Sequence, residues 1–523
     1  MKTSVTTTVT TTDTTAPEMT LLRFRSDTVL HTHDGVLRLI SPVGSFALRR
    51  VAPGVARALE DLASAPTSLT ELAGSLPPAQ AAQVRQVVER AGPLFTRYLH
   101  ADGRILIAID VTARDARYEP AAVPAETMLR LSSFALLRSH QDALVLESPL
   151  ARHRVTLVDP AAAALVCALA AAQTSAGFAA ELADRLPASA VTALLGHLTG
   201  AGFIEVGAHR GESVTFPSDT DPTLRQWDYH DLLMHSRART GRFDQPFGGI
   251  YPYRGEIPPQ PAVKPPPDGP SIPLYRPSLE DVLAKDPLLT TVLEGRTSVR
   301  QYAPEPLTAA QIGEFLYRSA RVRARWGPSE VTPYEATTRP YPCGGAAYEL
   351  ELYLTVQRCA GLAPGVYYYD PVGHRLVLLN AAAADRMAML RTASVATGMQ
   401  ANPDVLITMT SRFQRLSWKY RAIAYSTSLK HAGVLYQTMY LVATAMGLAP
   451  CGLGSGNSDL AARTFGLDYL RESSVGDFIL GSRPVPAHGA PHEPLPDTWQ
   501  PVNDPEWGAR AQATLRARRE AQR

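Results

Sequence analysis

With 523 residues, 45% of them hydrophobic and 19% charged, the chain is too long for one core and has the composition of a globular protein of roughly two to four domains. The 51 Lys and Arg nearly balance the 49 Asp and Glu, and a formal charge of +2 gives no basis for nucleic-acid binding or for attachment to an acidic membrane. Four cysteines, Cys167, Cys343, Cys359 and Cys451, form no CxxC and have no histidine at ligand spacing, so no metal site and no disulfide framework are expected and a reducing cytoplasm is the simplest home.

Residues 1–19 (MKTSVTTTVTTTDTTAPEM) are Thr-rich, with one Lys and no apolar core, and are expected to be a disordered tail rather than a signal peptide. The longest apolar run, Ala161–Ala172, falls short of the roughly 20 residues a bilayer requires, so no membrane span is expected; its Ala and Leu content suits a buried helix. Residues 20–118 and 125–210 resemble each other at a constant offset of 107 positions: Leu22-Arg23-Phe24 answers Leu129-Arg130-Leu131, Ser41-Pro42 answers Ser148-Pro149, and Pro53 answers Pro160. Strand, helices and a closing hairpin in each copy predict two tandem winged-helix-like modules. Neither has a helix rich in Lys and Arg, which argues against DNA, whereas clamping an extended peptide on a sheet edge needs no such charge.

Residues 211–285 are read as a linker. Within them, 252–277 (PYRGEIPPQPAVKPPPDGPSIPLYRP) are too proline-dense for helix or interior strand and predict a semi-rigid spacer, and His230 and His235 just ahead of it are read as structural. Residues 286–500 read as an α+β domain. Thr308 and Gln311 make a capping box for a helix with Ile312, Phe315, Leu316 and Val322 on one face, and the alternation over Leu350–Val356 predicts a half-buried strand. Val366–Tyr369 and Leu376–Leu379 flank the turn Asp370–Gly373 as a hairpin; Val405–Thr410 is another strand; Ser428–Leu448 is apolar nearly all round and predicts a buried helix, a candidate for a subunit interface. Residues 501–523 are an Arg-rich tail read as a solvated helix.

Three motifs carry chemistry. In Arg296-Thr-Ser298-Val-Arg300, two guanidiniums and a hydroxyl can grip a phosphate monoester through charge-assisted bonds of roughly 1.5 to 3 kcal/mol each. In Pro342-Cys343-Gly344-Gly345, paired glycines let the backbone lie against a planar ring and bring N–H groups to its edge. Gly452-Leu453-Gly454 closes a turn that can pass near phosphate or ring. Each alone has a plainer reading as a surface ion pair or a tight turn; in this order they suggest a flavin mononucleotide site.

These motifs, with WDYHDLLMHSRARTGRF from 227, the hairpin GLAPGVYYYDP, WKY at 418–420 and HAGVLYQTMYLVATAMGLAPCGLG from 431, resemble the SagB/ThcOx-type (McbC-like) azoline dehydrogenases of the nitroreductase-like FMN fold, over roughly residues 220–482. The resemblance implies FMN at the interface of a homodimer, N-terminal modules resembling leader-recognition elements, and oxidation of a thiazoline or oxazoline in a ribosomally made precursor peptide, with a cyclodehydratase complex as partner. It also implies that Lys419 and Tyr420 are catalytic. Lys419 serves as the base when neutral, a state favoured by burial and by Arg415 and Arg421, and Tyr420 relays the proton or orients the ring. Family members commonly carry Ser where this chain has Cys343. Two alternatives stay open: an NAD(P)H-dependent nitro or enone reductase of small molecules, and a non-catalytic scaffold for the cyclodehydratase.

Overall fold

A computed structural model describes residues 19–33, 36–399, 403–484 and 502–521. The Thr-rich segment expected to be disordered lies outside the described residues except for Met19. The chain divides into two compact units, meeting between Pro246 and Phe247.

The first unit is built twice. Strands Thr20–Phe24, Val29–His33, Val36–Ser41 and Gly44–Arg49, helices Pro53–Ser64, Leu69–Gly74 and Pro78–Arg90, and a return strand Phe95–Ala101 recur as Met128–Leu131, Leu136–His140, Ala143–Glu147 and His153–Leu157, then Pro160–Ala168, Ser175–Glu181, Ala188–Gly200 and Ile204–Val206. In both copies the first strand pairs antiparallel with the return strand, Leu22 facing Arg97 and Leu129 facing Val206. Pro53 and Pro160 each open a helix, where a missing N–H costs nothing. The apolar run at 161 is helical only to Ala168, and its Ala161, Ala162, Leu165 and Val166 are buried as expected. The copies are joined by hydrogen bonds: Arg104–Val111 pairs with His153–Leu157, so one six-stranded sheet runs through both. Residues 213–246 complete this unit, with Asp244 fully buried between Arg25 at 2.7 Å and Arg154 at 2.6 Å. A carboxylate so enclosed fixes the segment, because its loss would leave two buried guanidiniums without a counter-charge.

The second unit is a seven-stranded antiparallel sheet ordered Ser271–Pro273, Arg375–Leu378, Gly365–Asp370, Leu350–Val356, Val405–Arg412, Glu472–Gly481, Ala449–Leu453. Helices Ala309–Ala320 and Ala424–Ala445 cover one face, where Ile312, Phe315, Leu435 and Met439 pack on Leu352 and Ile407. Ala383–Ala396 and Ser458–Phe465 cover the other, with Leu390, Leu460 and Phe465 against Tyr353 and Ile479.

Several expectations are corrected. Leu350–Val356 is buried along its whole length rather than on one face, since helices lie on both sides of it. The capping box of Thr308 and Gln311 is formed, but the helix stops at Ala320 and Val322 lies beyond it, its N–H bound to Pro371 O. The proline-rich stretch packs on the sheet domain and is no free spacer. Lys264 Nζ reaches Glu472 Oε2 at 2.5 Å and Tyr353 OH at 2.6 Å, and Ser271–Pro273 adds an edge strand, a place where proline is tolerated. The Arg-rich tail forms a helix, Pro505–Ala521, whose Leu515 is buried beside Gly295. No helix among the described residues is long and apolar enough to cross a membrane.

Candidate functional site

The phosphate-type motif gathers around Tyr440. Helix Leu289–Gly295 ends at Arg296, whose guanidinium lies 5.3 Å from the centre of the Tyr440 ring. Ser298 Oγ lies 2.8 Å from the Tyr440 hydroxyl, which also accepts the Gly452 N–H at 2.7 Å. Val299 N–H donates to Pro450 O, so the RTSVR loop and the strand Ala449–Leu453 are one construction. Leu453 O accepts from Tyr436 OH, and Gly454 stands open. Ser298 and Arg300 are exposed. Arg483, absent from the motif reading, joins them by donating to Thr297 Oγ1 at 3.0 Å; burial lowers its pKa. Among the described residues, Arg296, Arg300 and Arg483 have no carboxylate partner. Three cations left unneutralised beside the Ser298 hydroxyl fit a phosphate dianion.

The glycine turn gathers instead around Lys419. Lys419 is 9% exposed, and its Nζ donates to the Tyr334 hydroxyl at 2.5 Å. Tyr334 in turn donates to Gly345 O at 2.6 Å. Nζ also lies over the Tyr334 and Tyr420 rings, 4.8 and 5.0 Å from their centres. Gly345 has a φ of +60°, and a Cβ there would overlap Lys419 Nζ and come within 2.8 Å of Tyr420 OH. This glycine, expected to lie against a ring, also admits the lysine amine. Pro342 and Gly345 themselves are exposed, leaving an open ledge above the buried lysine.

The wall behind this ledge comes from the stretch read as linker. Gly248–Gly249 pairs with Tyr420–Arg421, Tyr251 N–H donates to Lys419 O at 3.1 Å, and Trp418 Nε1 donates to Ile257 O at 2.6 Å. Arg415 staples three segments through the carbonyls of Ala347 at 3.0 Å, Gln260 at 2.7 Å and Glu335 at 2.9 Å. Burial and then Arg412 pull its pKa down to about 10, so it stays a cation at neutral pH. Burial raises the Tyr334 and Tyr420 phenols; Arg415 opposes this at Tyr334 and Lys419 opposes it at Tyr420.

His431 and Glu349 hold the turn from below. Gly344 N–H donates to His431 Nε2 at 2.8 Å, so Nδ1 carries the ring proton and gives it to Glu349 Oε1 at 2.8 Å. The Gly344 amide, expected at the edge of a ring, is therefore engaged by the protein. Cys343 Sγ lies 3.5 Å from Nδ1 and accepts Tyr348 N–H at 3.0 Å. Burial and then Glu349 push the thiol pKa far above its ordinary value, which suits packing rather than redox or nucleophilic work. Cys343, Glu349 and His431 do offer three ligand atoms within 4.8 Å of one another. A metal on Nδ1 would force the proton onto Nε2, against the Gly344 N–H, so the arrangement fits a hydrogen-bonded dyad better than a metal centre.

The two clusters hang on one helix, Ala424–Ala445, through His431 and Tyr440. Nine residues separate these, about 13 Å along the axis and half a turn apart, so within one chain the clusters point to opposite sides. Tyr334, His431, Glu349, Tyr440 and Arg483 escape the motif reading. The HAGVLYQ run contained the only hint of the histidine.

Residues 129–244 match the cyanobactin oxidase ThcOx family, and residues 293–482 match the nitroreductase family. A protein of Methanocaldococcus jannaschii named for a nitroreductase, MJ1384, is 26% identical over 188 residues, 36% of this chain and 86% of that protein. The trifolitoxin-processing protein TfxB of Rhizobium leguminosarum bv. trifolii is 27% identical over 149 residues, 28% of this chain and 40% of TfxB. The microcin B17-processing protein McbC of Escherichia coli is 29% identical over 137 residues, 25% of this chain and 49% of McbC. The chain thus spans less than half the length of the two peptide-processing relatives.

Proposed function

We propose that this chain, which matches the cyanobactin oxidase ThcOx family over residues 129–244 and the nitroreductase family over residues 293–482, is an FMN-dependent dehydrogenase converting thiazoline or oxazoline rings in a ribosomally made precursor peptide to thiazole or oxazole. The observation that carries this reading is the buried Lys419 amine held against Tyr334 and the bare Cα of Gly345, under an open ledge.

FMN, when bound, supplies the hydride acceptor. Arg296, Ser298, Arg300 and Arg483 would hold its phosphate, Gly452, Leu453 and Gly454 would flank it, and Pro342, Cys343, Gly344 and Gly345 would line its ring. The protein's own task is the proton. Tyr334 spends its hydroxyl proton on Gly345 O and can only accept from Lys419, so one N–H of the amine is tied down. In its neutral form Lys419 then presents a lone pair to the ring carbon's proton, and the Tyr420 hydroxyl, close to the same Gly345 Cα, is placed to relay it.

Opposite placement of the two clusters on one helix favours a homodimer in which the phosphate grip of one copy and the ledge of the other serve a single cofactor. Exposed Leu283, Leu288, Leu289 and Leu293, just ahead of Arg296, offer an apolar surface for such pairing. The duplicated first unit supports recognition of the precursor peptide on a sheet edge, and the peptide-processing names of TfxB and McbC support a peptide substrate; a cyclodehydratase partner is what the family resemblance implies. Four free cysteines suit a cytoplasmic setting.

A second reading, NAD(P)H-dependent reduction of a small nitro or enone compound, is favoured by the length of the MJ1384 match. Mass spectrometry of an azoline-containing peptide incubated with the protein separates the two: the proposal expects loss of two hydrogens per ring, and an unchanged mass with flavin-loaded protein contradicts it.

A further inference from the structure

A second cavity in the sheet domain, of about 320 Å³, is lined by Arg276, Tyr317, Arg321, Arg323, His374 and the turn Pro371–Val372. We propose that it binds the phosphate group of a small phosphorylated molecule, separately from the cofactor site.

Its charge is one-sided. Three guanidiniums line the hollow with no acidic side chain among the lining residues, and none of the three has a carboxylate partner among the described residues. The nearest acid along the chain, Asp370, is already committed: Oδ2 to Arg375 at 2.9 Å and Oδ1 to the amides of Val372 and Gly373 at 3.0 and 2.9 Å. A further cation lies behind the wall. Arg323 N–H donates to Thr338 O at 2.7 Å, and the adjoining Arg339 is 5% exposed with Nε and Nη2 unpartnered.

Two of the lining arginines are held in place with donors to spare. Arg276 Nη2 donates to Gly373 O at 3.0 Å. Arg321 Nη1 donates to Tyr317 O at 2.7 Å, and its guanidinium stacks 4.4 Å from the centre of the Tyr317 ring. Each fork keeps unused N–H groups, and orientation settled before the ligand arrives reduces the entropy lost on binding. The floor is equally fixed. His374 is 2% exposed, donates from Nε2 to Tyr275 O at 2.9 Å and accepts from Tyr369 OH at 3.0 Å, and so braces the turn against the segment carrying Arg276. Burial, Arg276 and Arg321 all act to keep this imidazole neutral.

Three converging guanidiniums suit a tetrahedral dianion with three free oxygens better than a carboxylate with two, and the volume leaves room for a small organic portion. The cofactor grip adjoins the edge strand Ala449–Leu453, whereas this cavity adjoins Arg375–Leu378 near the opposite edge, roughly 20 Å or more away at about 4.8 Å per strand. The two anion sites are therefore distinct.

The test is calorimetric titration of the FMN-loaded protein with inorganic phosphate and with pyrophosphate, at constant ionic strength, for the native chain and for the double variant Arg321→Gln/Arg323→Gln. The expected result is one saturable site per chain, weakened at least tenfold in the double variant, while flavin absorbance and thermal midpoint stay unchanged. Absence of saturable heat at millimolar ligand, or equal affinity in a variant that keeps its flavin, overturns the proposal. Binding of a glutamate-rich peptide in place of pyrophosphate overturns the phosphate assignment.

Discussion

The Cα of Gly345 lies directly against Lys419 Nζ: at a φ of +60° the backbone turns so that any Cβ would occupy the space of the amine. Gly345→Ala must therefore displace Lys419 and pay about 1 kcal/mol for the left-handed conformation. The expected outcome is at least a tenfold fall in azole formation with the flavin spectrum retained. Unimpaired turnover in that variant would show that the lysine's position does not matter.

Lys419→Ala removes the proposed base, and the loss should fall in the range of roughly 10²- to 10⁴-fold in turnover with flavin still bound. Tyr334→Phe keeps the amine but deletes the hydroxyl that orients it and the donor to Gly345 O, so a smaller loss of about tenfold is expected. Single-turnover kinetics on an azoline peptide measures both. A Tyr334→Phe variant more impaired than Lys419→Ala would reverse the assigned roles.

Cofactor affinity should depend on the guanidiniums. Arg296→Gln and Arg300→Gln should each raise the FMN dissociation constant about tenfold or more, at roughly 1.5 to 3 kcal/mol per charge-assisted bond. Tyr440→Phe, which severs the hydroxyl linking Ser298 to Gly452, should weaken binding less. Quenching of FMN fluorescence by the apoprotein reads these directly, and an unchanged constant for both arginine variants would move the phosphate elsewhere.

Stability should fall with rising pH through one carboxyl. Burial raises Asp477 from 3.8 to about 6 despite the hydroxyl of Thr408, 2.6 Å away. The folded chain then keeps a proton that the unfolded chain has lost, so the stabilisation is complete below about pH 4 and disappears as pH rises through about 6. The full difference is roughly 3 kcal/mol. Asp477→Asn should gain thermal midpoint relative to the native chain at pH 8 and gain little below about pH 4; parallel curves at both would remove Asp477 from the pH dependence.

Local chemistry was legible where it acts locally. The Thr308–Gln311 box, the turn at Asp370–Gly373 and the repeat from Pro53 to Pro160 all declare themselves over a few residues or a fixed offset, and the fold contains each. Burial of Leu350–Val356 on both faces did not show, because the covering helix Ser458–Phe465 lies a hundred residues downstream. Proline density correctly excluded helix between 252 and 277 but said nothing of where the segment packs, and so hid Lys264 against Glu472 and Ile257 against Trp418. In the site, Arg296, Ser298 and the glycine turn stood in motifs. Tyr334, 85 positions from Lys419, and Glu349, 82 from His431, have no local pattern at all, since only tertiary contact gives them a role.

The most direct test of the central claim is anaerobic mixing of the flavin-loaded protein with an azoline peptide while flavin absorbance is followed. The account predicts bleaching by the peptide, accompanied by azole formation, in the native chain and not in Lys419→Ala, with NADPH alone having little effect. Rapid bleaching by NADPH and none by the peptide would contradict it and leave the small-molecule reductase in its place.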